Sequence, residues 1–312
     1  MADRAPYFSV VTPSFNQAEF IESMIQSVLA QGTNDFEHLV YDNCSTDETC
    51  AILRRHPHLR WVSERDGGQA AALNRGFRES RGEIICWMNA DDAYPPGAFA
   101  AVRAAFDANP SMEVLYGDAE EIYVDGRKSA VRKAQFERRE DFITWWERKI
   151  WLLQPAVFFR RRVFEKAGYL REDLHLILDT EFWWRLSGHA TFHYLDRVLA
   201  LQRLQPAAKT VSGEYRIYLE KDAVFTPLGK LLPNRSQLAL QLAKRRVLGA
   251  RYLRIAHGVP PENRALRAKL LGLTLKENPL LFLHPNFFGG LARLVGGAPV
   301  DRVFQRLRGG KR

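Results

Sequence analysis

Long hydrophobic runs are missing from this 312-residue chain. No window reaches the roughly 18 uninterrupted apolar residues of a membrane-spanning helix, so an integral helical membrane protein is not expected. The opening, MADRAPYFSVVTPSF, has no basic stretch followed by an apolar core and a small-residue cleavage site, so secretion is not expected either. Cysteine is scarce. Cys44, Cys50 and Cys86 are too few and too irregular for a disulfide framework, which implies reduced, mostly buried thiols in a cytoplasmic protein. The glycine-rich stretch Asp66-Gly67-Gly68-Gln69 lacks the G-x-G-x-x-G spacing that admits a dinucleotide pyrophosphate to a helix start, which argues against a dehydrogenase. Internal repeats and long low-complexity linkers are absent as well.

What is present is the composition of a globular protein, 46% hydrophobic and 26% charged, long enough for one large domain or two modest ones. The formal net charge of +9 is unevenly placed. From Lys244 to Arg312 there are 15 Lys/Arg and three acids (Glu262, Glu277 and Asp301), while the preceding residues hold 30 bases and 33 acids. A mildly acidic body carries a basic tail, whose expected partner is anionic. No basic platform interleaved with aromatics appears, so nucleic acid is not expected as that partner.

The first hundred residues alternate strand and helix signals. Phe8 to Thr12 is a β-prone run stopped by Pro13, and Asn16 to Gln31 carries apolar residues at helical spacing, ended by Gly32. Glu37 to Tyr41 reads as a second strand, and Ser45 or Thr46 is a candidate cap for a helix over about 48–55. Leu59 to Ser63, a helix over 70–79 and a strand over 83–88 complete the series. This order predicts a parallel α/β sheet with its ligands at the carboxyl ends of the strands. Thr12, Asp42, Asp66 and Asn89-Ala90-Asp91-Asp92 each follow a strand, and so many acids near one rim call for a cation or hydrogen-bond donors. Further on, Val114–Asp118 and Glu121–Val124 read as strands around a hairpin turn at Asp125-Gly126, and Leu178 to Leu186 reads as a helix with Asp179 near its start. Gln205-Pro206-Ala207-Ala208 is the best domain boundary, giving domains of 1–205 and 206–312, the second helical and basic.

Together these segments resemble glycosyltransferase family 2, an inverting group with a GT-A fold, over about Phe8 to Thr210. The matching segments are Val10-Val11-Thr12-Pro13-Ser14-Phe15-Asn16, the loop from Asp42 to Asp47, and Asp66-Gly67-Gly68-Gln69 with Asn74. They continue through Asn89-Ala90-Asp91-Asp92 and Gln154-Pro155-Ala156 to Leu178-Asp179 with Phe182-Trp183-Trp184-Arg185. The family usually has Gly where Cys44 stands, Asp where Asn89 stands, and a late His where Gln205 stands. The resemblance implies a nucleoside-diphosphate sugar donor, UDP favoured, contacted by Thr12, Pro13, Asp42, Asp66, Gly68, Asn74 and Asn89. It implies Mg²⁺ or Mn²⁺ on Asp91, Asp179 as the catalytic base, and Gln154, Trp183 and Arg185 on the acceptor side.

Apolar Leu280 to Leu283 and Phe287-Phe288, followed by Arg293, Arg302, Arg306 and Arg308, suggest a region lying on an anionic membrane surface. That would place the protein peripherally on the cytoplasmic face, with a lipid-linked saccharide acceptor of the kind used in surface-polysaccharide assembly. Two rival readings are a catalytically inactive nucleotide-sugar-binding scaffold and a sugar-phosphate nucleotidyltransferase. Retention of Asp91 and Asp179 speaks against the first. Thr12-Pro13-Ser14-Phe15 in place of a glycine-rich basic loop speaks against the second.

Overall fold

The computed structural model describes residues 4–123, 127–204, 214–232, 236–260 and 262–295. They form two compact units, Met1–Phe142 with Lys149–Gly213, and Ile143–Arg148 with Glu214–Arg312. The expected boundary at Gln205–Ala208 lies outside the described residues, as do Asp125-Gly126 and Lys209-Thr210.

The first unit is built on an eight-stranded sheet. Its strands are β1 (Phe8–Ser14), β2 (Phe36–Asp42), β3 (Leu59–Ser63), β4 (Ile84–Trp87), β5 (Val114–Tyr123), β6 (Lys128–Arg132), β7 (Val157–Arg160) and β8 (Phe192–Leu204). They lie in the order β3-β2-β1-β4-β7-β5-β6, with β8 also paired to β5. Strands β1 to β4 are parallel to one another, β8 runs parallel to β5, and β6 and β7 run against their neighbours, so the sheet is mostly parallel as expected. The two strands expected over 114–124 are one, β5, whose pairing with β8 shifts register near Asp118.

Helices α1 (Ile21–Leu29), α2 (Thr49–Arg54), α3 (Gln69–Glu79) and α4 (Ala98–Ala108) connect the strands, followed by α5 (Glu140–Ile143), α6 (Val163–Ala167) and α7 (Leu178–Leu186). Strand β1 is buried along nearly its whole length, as a central parallel strand covered on both faces must be. Its period of two divides the work. Phe8 and Val10 join Met24, Ile25, Val28, Phe99 and Phe106 in the main core, while Val11 meets α3 on the other face. There Gly76 lets α3 approach, since a Cβ would stand 2.3 Å from Val11 Cγ1 and 2.8 Å from the Tyr41 ring.

The second unit contains α8 (Glu214–Phe225), α9 (Gln237–Gly258) and α10 (Arg264–Glu277), then a 3-10 turn at Pro279–Leu283 and helical residues 285–295. Ser236 and Asn263 cap α9 and α10 by accepting the backbone N–H of Ala239 and Leu266. Inside it Lys244 is buried against Asp222 at 2.6 Å, and Tyr218 stacks on Trp145. Among the described residues, no helix is long and apolar enough to cross a membrane.

Candidate active site

Parallel pairing places the ends of β1, β2 and β3 in one row, Ser14 beside Asp42 and Asp42 beside Ser63. Asp42 is buried and well supplied with donors. Its Oδ2 accepts the Ser45 N–H at 2.9 Å and the Ser63 hydroxyl at 2.6 Å, with the Cys50 thiol at 3.4 Å, and its Oδ1 accepts the Ser45 hydroxyl. The loop after β1 is laced to the loop after β2. The Ser45 Oγ accepts the Asn16 N–H (2.7 Å), Asn16 Oδ1 accepts the Thr46 N–H (2.9 Å), and Asp47 accepts the Ala18 N–H (3.0 Å). Neither Ser45 nor Thr46 caps α2; Asp47 instead accepts the N–H of Thr49 at 3.0 Å. Within the same loop Cys44 holds φ at +53°, the left-handed region natural to glycine, which accounts for the residue expected there by resemblance. Of the three thiols only Cys86 is buried; Cys44 is exposed and Cys50 half-buried, which corrects the expectation that most are interior.

Asp42 and Asp66 both line a pocket of about 210 Å³, with Tyr41, Val62, Gly67 and Arg75 among its walls. Asp66 is held from two loops: its N–H donates to Asn43 Oδ1 in the loop after β2 at 3.1 Å, and its carboxylate accepts the Gly68 N–H at 2.8 Å. Gly68, at φ +108°, opens α3 with no side-chain cap.

Past β4 the polar side chains form a hub at Asn89. Its Oδ1 accepts from Gln69 Nε2 and Trp87 Nε1, each at 3.2 Å, and its Nδ2 donates to Gln154 Oε1 (2.8 Å) and Asp92 Oδ2 (3.3 Å). A carboxylate here could make neither donation, so Asn89 suits its neighbours better than the family's usual Asp would. The two acids that follow are not equivalent. Asp92 is buried, accepts the Arg203 N–H at 3.0 Å, and its carboxyl is pushed up to about 8 by burial and by the adjacent Asp91 charge. Asp91 is half-exposed, and its carbonyl accepts Arg203 Nε at 3.0 Å. Among the described residues no group of three or more His, Cys, Asp or Glu could hold a metal. Asp91 is the one half-exposed carboxylate of this segment, the position at which the sequence resemblance expects a divalent ion.

Asp179 lies half-exposed in the first turn of α7, its Oδ1 accepting the N–H of Thr180 at 2.6 Å. Several other expected site residues are structural. Thr12 shares the face of Phe8 and Val10, so its hydroxyl lies buried 3.1 Å from His38 Nε2 rather than toward a ligand. Asn74, 1% exposed, ties α3 to the loop at Leu170, exchanging bonds with that residue's N–H and carbonyl and donating to Glu172. Trp183, 1% exposed, packs against Phe159, Phe182 and Phe192, so it cannot stack on an acceptor. Arg185 bonds Glu181 and the carbonyls of Ala167 and Tyr169, clamping the α6–α7 connection. Gln154, placed on the acceptor side from the sequence, is buried beneath Asn89 and donates to the Trp87 carbonyl. Pro13 is half-exposed at the end of β1. Ser63, Cys50 and Gln69 were missed; the only signal for Ser63 was its register opposite Asp42 on a parallel neighbour.

Residues 9–168 match the protein family described as Glycosyl transferase family 2. This chain belongs to glycosyltransferase family 2. As a member it is a glycosyltransferase, and the earlier resemblance holds. It is 35% identical over 201 residues to the O-antigen biosynthesis protein RfbC of Myxococcus xanthus, covering 60% of this chain but only 15% of that protein's length. Its fold is similar to S. aureus TarS 1-349 in complex with UDP, with TM-score 0.55, 18% identity, and 96% and 91% of the two chains covered. It is also similar to the mannosyltransferase PcManGT from Pyrobaculum calidifontis in complex with GDP-Man and Mn²⁺, with TM-score 0.53, 19% identity, and 96% and 88% covered. These likenesses identify the fold as GT-A-like.

Proposed function

We propose that this family 2 glycosyltransferase transfers a sugar from a nucleoside-diphosphate donor, UDP favoured, to an acceptor hydroxyl with inversion at the anomeric carbon. The observation that carries the reading is the row of strand ends: buried Asp42 ends β2 beside Ser14 of β1, and Asp91 follows β4, which pairs with the other edge of β1. Asp42 receives a base N–H, while Asp66 and Gly68 shape the loop beside it. Asp91 would hold Mg²⁺ or Mn²⁺, which would supply charge neutralisation to the leaving diphosphate. Asp179 takes the proton of the attacking hydroxyl, and one such carboxylate suffices for a single in-line displacement. Solved relatives of similar fold in complex with UDP, and with GDP-Man and Mn²⁺, support a nucleotide-sugar donor and a metal. RfbC, named for O-antigen biosynthesis, supports a saccharide acceptor in polysaccharide assembly, lipid-linked in this reading.

The second unit, in the same reading, lies on an anionic membrane surface at the cytoplasmic face. Leu280 and Leu283 are 77% and 73% exposed, with Phe282 and Phe288 also open to solvent. Arg245, Arg246, Arg254 and Lys276 are exposed on the same unit. Arg293, expected to flank the apolar patch, is instead buried and donates to the His257 carbonyl, while Arg302, Arg306 and Arg308 lie outside the described residues.

A thermal-shift panel of UDP, GDP, dTDP and CMP, each with and without Mn²⁺, tests the donor site. A ligand at about 100 times its Kd adds ~2.7 kcal/mol, a shift of several degrees. A metal-dependent shift with one nucleoside diphosphate is expected. No shift with any nucleotide in folded protein would reject the donor site.

A further inference from the structure

Helix α9 carries no acid. Its 22 residues include Lys244, Arg245, Arg246, Arg251 and Arg254 but not one Asp or Glu. Leu240 and Lys244 are buried and hold the first half of the helix on its unit, which turns the opposite side outward. On that side Leu238, Leu242, Gly249, Leu253 and Ala256 form one stripe, since steps of four and seven residues return to nearly the same direction at about 3.6 residues per turn. The second half of the stripe is covered. Leu253 and Ala256 are buried, and Gly249 lies under the turn at Pro279–Leu283, where a Cβ would stand 2.8 Å from Asn278 Cβ and 3.1 Å from Leu281 Cδ1. The first half is bare. Leu238 and Leu242 are 66% and 57% exposed, and exposed Arg245 and Arg246 stand one to either side of their line. Leu242 precedes Gly249 by seven residues, about 10 Å along the helix, so the bare stripe adjoins the turn that exposes Leu280 and Leu283.

Leucines flanked by arginines, on a helix with no acid to repel phosphate, have the chemistry of a surface that meets anionic lipid. A second copy of the chain fits less well, because a two-fold contact pairs a patch with itself and would bring these cations together. We propose that the first half of α9 is a second membrane-contact element, lying along the surface with Leu238 and Leu242 at the acyl boundary and Arg245 and Arg246 among the lipid phosphates. The inference rests on the proposed reading that this unit lies on an anionic membrane. It adds to the apolar turn a helix that fixes how the unit is oriented there. A turn alone can pivot on the surface, whereas two adjoining elements define a line of contact.

Flotation of the full chain with vesicles of phosphatidylglycerol and phosphatidylcholine, and with phosphatidylcholine alone, is the test. The native protein should float with the anionic vesicles. Leu238→Ser together with Leu242→Ser should weaken partitioning about tenfold or more, because two apolar side chains no longer leave water on binding. Arg245→Gln together with Arg246→Gln should weaken it as well and flatten its dependence on salt. A serine pair that floats like the native protein overturns the inference and leaves the membrane reading resting on the turn at Pro279–Leu283. Native protein that fails to float rejects the membrane reading itself, and the inference with it. Sedimentation of the lipid-free protein addresses the other occupant: a dimer that the serine pair dissociates makes this a self-association face and overturns the inference. If the serine pair does not fold, hydrogen exchange of the native protein decides. Residues 237–246 should gain protection on anionic vesicles, and protection confined to 279–288 overturns the inference.

Discussion

Two single residues give sharp expectations, Asp179 in the first turn of α7 and Cys44 in the loop after β2. Asp179 is assigned the acceptor proton, so Asp179→Asn should lower turnover by roughly 10²–10⁴, the usual worth of a positioned general base. Donor affinity should change little. Initial rates together with nucleotide titration check this, and a tenfold or smaller loss removes Asp179 from the role. Cys44 illustrates a different constraint. At φ +53° a non-glycine residue carries ~1–2 kcal/mol of left-handed strain, while glycine would lose ~0.5–1 kcal/mol more chain entropy on folding. Cys44→Gly should therefore stabilise the protein by about 0.5–1 kcal/mol, read as a higher urea midpoint at unchanged slope. The positions of Asp42 and Asp91 on the rim of the sheet were legible because each stands at or shortly after the end of a parallel strand. Thr12 was not legible as a core residue. Its position at a strand end pointed to the rim, and only the strand's alternation sends its side chain down toward Met24.

Elements decide what those residues rest on. Strand β2 carries His38 into the core opposite Val10, where burial, aided by the His58 and His56 charges, pushes the imidazole down to about 3. Its value in the unfolded chain is near 6.5, so the unfolded state binds the extra proton between those limits. The native state is favoured above about pH 6.5, and that advantage is lost as pH falls toward 3. Between pH 7 and pH 5 the loss from this group is about 2 kcal/mol. His38→Gln, which retains a partner for Thr12, should flatten that part of the stability profile. Urea unfolding at the two pH values measures it, and an unchanged slope would show that another group governs acid sensitivity. The helix α7 was recognised from its spacing, but its duties were not. Trp183 and Arg185 look like acceptor residues in a linear motif, whereas the packed helix turns one into the aromatic core and the other onto the Ala167 and Tyr169 carbonyls. Strand β8 escaped notice because only two of its thirteen residues, Leu199 and Ala200, are buried, so it lacks a clear alternating pattern.

At the scale of the whole molecule, the uneven charge along the chain becomes a property of one unit. Exposed Leu280, Phe282 and Leu283 with surface arginines predict co-flotation of the full chain with anionic vesicles and little with neutral ones. Replacing the three by serine (Leu280→Ser, Phe282→Ser, Leu283→Ser) should cut the bound fraction at least about tenfold, since each buried methylene contributes ~0.8 kcal/mol. Native protein that ignores anionic vesicles ends the membrane reading. By itself the sequence determined the alternating α/β order, the mostly parallel sheet, the carboxylates on its rim and the basic tail, because periodicity, strand punctuation and composition are local properties. Tertiary structure alone decided that Ile143–Arg148 joins the second unit, that Asn89 is the centre of a hydrogen-bonded hub reaching Gln154, and that Ser63 occupies Asp42. Each depends on a contact between segments distant along the chain. Which side chains meet there is set by strand register and by the burial of polar groups needing partners, neither of which can be read from a window of neighbouring residues.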